Sequence, residues 1–178
     1  MAEKEGCLRF FFFLFSFSAN YQLPTIFPMF KNILVVCVGN ICRSPTAEYM
    51  LKKRFGELGS NITVNSAGLG ALVGKSAADK AAELAASHGI DLTPHVAQQL
   101  TASMIHDHDL ILVMEEGHIK ACEGITPAAR GKTHLLGRWQ NNLEIPDPWR
   151  QGDEAYTLAF NLIQTSVEKW VEKVGSWQ

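Results

Sequence analysis

Residues 32–38, NILVVCV, constrain the fold of this 178-residue chain more than any other stretch. The run is apolar without alternation and rich in β-branched residues, the pattern of a strand covered on both faces. Such strands belong to parallel sheets, whose crossover connections carry helices. The pattern breaks at residues 39–45, GNICRSP. Ser44 reads as a helix N-cap and Pro45 as the first helical position. TAEYMLKKRF then sets Ala47, Met50, Leu51 and Phe55 close to helical spacing. A buried strand therefore passes through a short loop containing glycine into a helix.

The rest of the chain repeats that alternation. NITVNSAG reads as a second strand ending at Ser66-Ala67-Gly68, and SAADKAAELAASHG as a helix stopped by Gly89. HDLILVM is a third buried strand, EEGHIKACEG a helix and KTHLLG a short fourth strand. The chain closes on a long amphipathic helix from Gly152 onward, in which Ala155, Leu158, Leu162, Val167 and Val171 recur. The fold class predicted is α/β: a single domain with a four-stranded parallel sheet, helices on both faces, and a phosphate-binding loop after the first strand. In such sheets ligands bind beyond the carboxyl ends of the strands.

Composition narrows the function classes. The chain is 47% apolar and 19% charged, enough to build one sizeable core. A formal net charge of −2 argues against a broad nucleic-acid surface. Cys37 and Cys42 are spaced CxxxxC, unlike the CxxC of zinc and thioredoxin-like sites, and a reduced cytoplasmic protein is the expectation. His106 and His108 form a local HDHD run with no distant partner cluster, which reads as a solvated helix or loop ahead of the third strand; no metal is expected. Glu115 and Glu116 read as helix-start charges. No GxxxxGK[ST] or GxGxxG follows a strand, which argues against nucleotide binding.

Residues 1–28 differ from the rest. LRFFFFLFSFSAN resembles the charged and apolar regions of a signal peptide but is shorter than the ~20 apolar residues of a membrane span. The expectation is a flexible extension or a false start ahead of Met29. Residues 29–178 then form the domain, with no stable membrane insertion.

The loop has the chemistry of an anion trap. Consecutive backbone N–H groups in a tight turn make a nest for phosphate oxygens, and the following helix start adds free N–H groups and a favourable dipole. Gly39 is expected to make the turn. Val38, Asn40, Ile41, Cys42 and Ser44 complete the phosphate-binding loop. Arg43 can clamp two phosphate oxygens at once, which lysine cannot. A thiol beside a helix N-terminus and an arginine is favoured as thiolate, which makes Cys37 the candidate nucleophile.

C-V-G-N-I-C-R-S-P-T-A-E, residues 37–48, resembles the signature of low-molecular-weight protein-tyrosine phosphatases, and the likeness runs from about Met29 to the C-terminal helix. That family carries an Asp-Pro-aromatic motif far downstream, and this chain has Asp147-Pro148-Trp149. The resemblance implies Cys37 as nucleophile, Arg43 as phosphate clamp and Asp147 as general acid, acting through a cysteinyl-phosphate with no cofactor. It implies that Asn40, Ser44, Ser66 and His95 form the network that shapes the loop, with Ser44 also near the Cys37 thiolate. Cys42 matches a second cysteine that can pair reversibly with Cys37 under oxidation.

Ile41, Leu72, Trp149 and Arg150 correspond to the walls of the family's substrate cleft. Leu72 and Arg150, with SAGLGALVGK, look like the bacterial subgroup tied to capsule and exopolysaccharide export. That likeness implies a phosphotyrosine protein as partner, a bacterial tyrosine autokinase, and Arg150 beside the cleft suits acidic or multiply phosphorylated tails. Three alternatives stay open. Arsenate reductases use a similar loop but need further relay cysteines, and after Cys42 only Cys122 remains. Relatives that dephosphorylate arginine carry threonine at the Ile41 position. A non-catalytic phosphotyrosine-binding module is expected to lack Cys37 or Asp147, and both are present.

Overall fold

A computed structural model describes residues 30–176. The predicted extension at residues 1–28 lies outside the described residues. In chain order the elements are β1 (Asn32–Cys37), α1 (Arg43–Glu57), β2 (Thr63–Gly68), α2 (Asp79–Ser87), α3 (Ala102–Asp107), β3 (Leu110–Val113), α4 (Glu116–Ile125), β4 (Thr133–Leu135) and α5 (Asp153–Ser176), with a 3-10 turn over Pro127–Ala129. The four strands pair in parallel in the order β2-β1-β3-β4.

The uninterrupted apolar run of β1 is explained by its place. Val35 lies between Ser66 of β2 and Leu112 of β3, and the strand is covered on both faces. Ile33 and Val35 pack into a core with Ala47, Met50, Leu51 and Phe55 of α1 and with Phe160, Ile163, Val167 and Trp170 of α5. Leu34 and Val36 face the other way, toward Ile105 of α3 and Cys122 of α4. Helices therefore cover both faces of a four-stranded parallel sheet, as predicted. No helix among the described residues is long and apolar enough to cross a membrane.

Some local expectations need correction. Helix α1 begins at Arg43, its N-cap is Cys42, and no side chain caps it. Ser44 is drawn away from capping by Cys37 and Asn40, while Pro45 sits deeper in the first turn, where a missing N–H breaks no bond. The buried face of α5 runs through Tyr156, Ala159, Phe160, Ile163, Val167, Trp170 and Val174, and Leu158 of the expected stripe is 51% exposed. Helix α3 takes the helical of the two readings for the segment ahead of β3; it is one short turn and a half, capped by Thr101 Oγ1 accepting from Met104 N at 3.3 Å. His108 is buried rather than solvated, with Nδ1 2.6 Å from Met104 O and Nε2 3.1 Å from Asn65 Nδ2. Asp109 accepts from the N–H groups of Lys31 and Asn32, both at 2.8 Å, and so fastens the start of β1.

The strand order places β2 on one side of β1 and β3 on the other. The carboxyl ends of β1 and β3 form the crevice where the chain changes direction across the sheet. The loop after β1 opens there, beside the residues that follow β3 and β4.

Candidate active site

Cys37 is the last residue of β1 and is 3% exposed. Its Sγ lies 2.9 Å from Ser44 Oγ and accepts from Asn40 N at 3.3 Å. The turn in the loop is made by Asn40, at φ 55, and not by Gly39. Asparagine tolerates this left-handed conformation better than most residues because its short side chain can bond locally. Here the side chain is fully used. Asn40 Nδ2 donates to Ser44 Oγ at 2.9 Å and to Ser66 Oγ at 2.8 Å, and Oδ1 accepts from Gln98 N at 2.9 Å. Its carbonyl oxygen lies 2.7 Å from His95 Nε2. Ser66 in turn donates to Glu48 Oε2 at 2.6 Å. The four residues that the resemblance grouped are thus one buried network, anchored on α1 through Glu48.

A second set of bonds brings the opposite rim close. Leu69 N, Gly70 N and Leu72 N donate to the carbonyls of Cys37, Val38 and Gly39 at 2.9, 3.0 and 3.0 Å. This zipper needs Gly68, where a Cβ would stand 2.5 Å from Val38 O. The N–H groups of Gly39, Ile41 and Cys42 find no acceptor among the described residues, which leaves them for an anion.

Arg43 is 2% exposed and held by three acceptors. Nη1 donates to Ile145 O at 2.9 Å and to Glu115 Oε1, and Nη2 donates to Asp147 Oδ2 at 2.6 Å. Asp147 Oδ1 accepts from Trp149 N at 3.2 Å, so the same carboxylate also shapes its own turn. Glu115 is not a helix-start charge alone: it occupies the N-cap of α4 but turns its carboxylate to Arg43, while Glu144 takes the free Glu116 N at 2.7 Å.

These side chains enclose a cavity of about 200 Å³. Cys37, Arg43 and Asp147 line it together with the side chains of Ile41, Leu72 and Trp149. The apolar walls leave space for an aryl group above the loop. Arg150 does not line this cavity; it sits one step outward in an adjoining groove, its guanidinium carbon 5.9 Å from the Trp149 ring centre.

Burial pushes the Cys42 thiol up to about 11, partly opposed by its contact with the Tyr156 hydroxyl at 3.7 Å. Burial likewise raises Tyr156. Cys42 is therefore protonated at neutral pH. His118, 3.8 Å from Glu115, is pushed down by burial against the opposing pull of that carboxylate.

The low molecular weight phosphotyrosine protein phosphatase family matches residues 32–177. A protein-tyrosine-phosphatase of that kind, Wzb of Salmonella typhimurium, is 46% identical over 150 residues, covering 84% of this chain and 98% of that protein. The crystal structure of the Erwinia amylovora tyrosine phosphatase AmsI superposes with a TM-score of 0.77 at 47% identity, covering 82% of this chain and 93% of that one. Vibrio vulnificus Wzb in complex with benzylphosphonate gives 0.77 at 48% identity, over 81% of this chain and 99% of the other. The chain belongs to the low molecular weight phosphotyrosine protein phosphatases. It is an enzyme of that type.

In this phosphatase the residues missing from the sequence reading are those that support the loop from a distance. Glu48 lies within residues 37–48 on the buried side of α1, and a glutamate on the inner side of an amphipathic helix is the one sequence signal that marks it. Glu115 lies at the carboxyl end of β3, and nothing local in the sequence joins it to Arg43. Gln98 and Tyr156 carried no local pattern that marked them.

Proposed function

We propose that this phosphatase hydrolyses phosphotyrosine in proteins through a cysteinyl-phosphate on Cys37. The observation that carries the reading is that Cys37, Arg43 and Asp147 line one cavity together with the apolar Ile41, Leu72 and Trp149, with Arg43 bonded to Asp147. The phosphate sits on the loop N–H groups and takes Arg43 Nη2 from Asp147. Cys37 sulfur bonds to phosphorus as the bond from phosphorus to the tyrosyl oxygen breaks. Asp147, as the carboxylic acid, gives its proton to that oxygen. The resulting carboxylate then takes a proton from water as the water oxygen attacks phosphorus. The sulfur–phosphorus bond breaks, and Ser44 Oγ, 2.9 Å from Sγ, donates to the departing thiolate. Loop N–H groups and Arg43 stabilise the charge that spreads over the phosphoryl oxygens.

The physiological partner in this reading is a bacterial tyrosine autokinase of capsule or exopolysaccharide export, met in the cytoplasm. The similarity to Wzb and AmsI supports it. Two features weigh against the alternatives on the same fold. Ile41 stands in the cavity wall where an arginine-directed relative would carry threonine. Cys122, the one downstream cysteine, is fully buried with Leu34 and Val36 on the face of the sheet away from α1, so it cannot relay a disulfide.

The test is phosphate release by the full chain from a phosphotyrosine peptide and a phosphoarginine peptide, in chelator. Turnover of the first, lost in Cys37→Ser, is the expected result. Preference for phosphoarginine would overturn the substrate, and turnover of neither would overturn the enzyme mechanism.

A further inference from the structure

The active-site cavity opens into a second, wider groove of about 520 Å³. The two share a wall, since Ile41, Leu72 and Trp149 line both. Past that wall the chemistry changes from apolar to basic. Lys75 reaches the groove from the segment ahead of α2, Lys80 from its first turn, and Arg150 from the loop ahead of α5, with Asp79 as the one carboxylate. Lys80 is paired with the exposed Asp153. Lys75 and Arg150 are exposed and make no ion pair with any described residue. With Asp153 holding Lys80, a chain of net charge −2 thus leaves Lys75 and Arg150 against Asp79 in the groove beside its phosphate site.

Ile41, Leu72 and Trp149 join the cavity to this groove, so a tyrosyl phosphate seated on Cys37 has the groove beside it for its flanking main chain. An extended peptide advances about 3.3 Å per residue, so the residues next to the phosphotyrosine pass directly into the groove. We infer that this groove binds the segment flanking the phosphotyrosine of a protein substrate and selects a negatively charged side chain there, through Lys75 and Arg150. The inference deepens the phosphotyrosine reading and rests on it. Glutamate, aspartate or a second phosphorylated tyrosine each supply the charge that the groove lacks. An exposed ion pair is worth roughly 1.5- to 5-fold in an equilibrium, so two together span about two- to 25-fold, with three- to tenfold in the middle of that range. A phosphate dianion gains more, and all such gains shrink with salt.

The experiment compares kcat/KM of the full chain on phosphotyrosine peptides that differ only in their flanking residues: glutamate, glutamine, lysine, or a second phosphotyrosine. Free phosphotyrosine serves as the reference substrate. At low salt the glutamate peptide is expected to exceed the glutamine peptide by about three- to tenfold, with the lysine peptide lowest. In ~0.5 M salt the ratios should approach unity. Lys75→Glu should invert the order of the glutamate and lysine peptides. Because each ratio is taken within one variant, a partly unfolded sample does not distort it. A second phosphotyrosine favoured without any effect of glutamate also supports the groove and identifies phosphate as its ligand. Equal rates on all flanks, or ratios unmoved by Lys75→Glu, overturn it. No turnover of free phosphotyrosine or of any peptide overturns the phosphotyrosine reading instead.

Discussion

Arg43 Nη2 donates to Asp147 Oδ2 at 2.6 Å, so the candidate phosphate clamp and the candidate proton donor are bound to each other across the cavity. Asp147 can therefore matter in two ways, by protonating a leaving group or merely by holding Arg43. Asp147→Asn separates them. A proton donor contributes about 10²- to 10⁴-fold when the leaving group is poor. The expected outcome is a kcat on phosphotyrosine lowered by roughly 10²-fold or more, with less than about tenfold lost on a nitrophenyl phosphate, whose leaving group departs without a proton. Equal losses on both substrates would show that Asp147 acts only through Arg43.

Glu115 holds the other side of the same guanidinium. It shares Nη1 with the Ile145 carbonyl, and its side chain is 37% exposed. Breaking a buried pair costs about 3–5 kcal/mol, but an exposure of that size and the remaining partners of Arg43 reduce it. Glu115→Gln should cost about 1 kcal/mol in urea denaturation. It should also lower kcat/KM roughly tenfold, because a loosened guanidinium no longer presents Nη2 in one orientation. A rise in kcat/KM would mean instead that Glu115 is only an anion competing with the phosphate.

What was legible in the sequence was what lies close along the chain. Residues 32–55 announce a buried strand, a loop and a helix because their apolar spacing is local, and Ala47, Met50, Leu51 and Phe55 are all buried as expected. Cys37 and Arg43 come from that same stretch. Asp147 and the network of Asn40, Ser66 and His95 were reachable only through a family likeness, since spacing alone joins none of them. The pairing of Glu115 with Arg43 was not legible, because it depends on β3 lying beside β1. Two readings failed for physical reasons. Ser44 looked like a cap, but a hydroxyl within reach of a thiol and a buried amide has better partners. The expected stripe on α5 holds at its C-terminal end, where Val167 and Val171 are buried, and fails at Leu158, which is exposed while Tyr156, Ala159 and Phe160 do the packing there.

Asn40 carries a prediction that divides strain from hydrogen bonding. It is fully buried, sits at φ 55, and its side chain makes three hydrogen bonds. Asn40→Ala keeps the unfavourable φ and leaves partners such as Gln98 N unsatisfied, at roughly 1–3 kcal/mol for each group that stays buried. A total loss of about 3 kcal/mol is expected by chemical denaturation. Asn40→Gly loses the same bonds but accepts the left-handed backbone, and should recover about 1 kcal/mol of that loss. Neither should restore turnover, because the Asn40 side chain also aims Ser44. Asn40→Gly with full activity would assign the residue to backbone geometry alone.

Among the described residues, the two cysteines that do no chemistry, Cys42 and Cys122, tie stability to alkaline pH. Burial pushes Cys42 and Cys122 from the ordinary 9.0 up to about 11. Below pH 9 both thiols are protonated in the folded and unfolded chain, and neither affects stability. Between pH 9 and 11 the unfolded chain loses these protons while the folded chain retains them, so the unfolded state gains and stability falls as pH rises. At about 1.4 kcal/mol per pH unit, each thiol removes about 2 kcal/mol by pH 11. Cys122→Ala, on the buried face of α4, takes one of the two out of the balance. It should be less stable than the parent at pH 8, by about 1 kcal/mol for the small cavity it leaves. The gap should close or reverse by pH 11. Urea midpoints measured at both pH values decide it, and a gap that stays constant would show that Cys122 ionises in the folded protein as readily as in the unfolded chain.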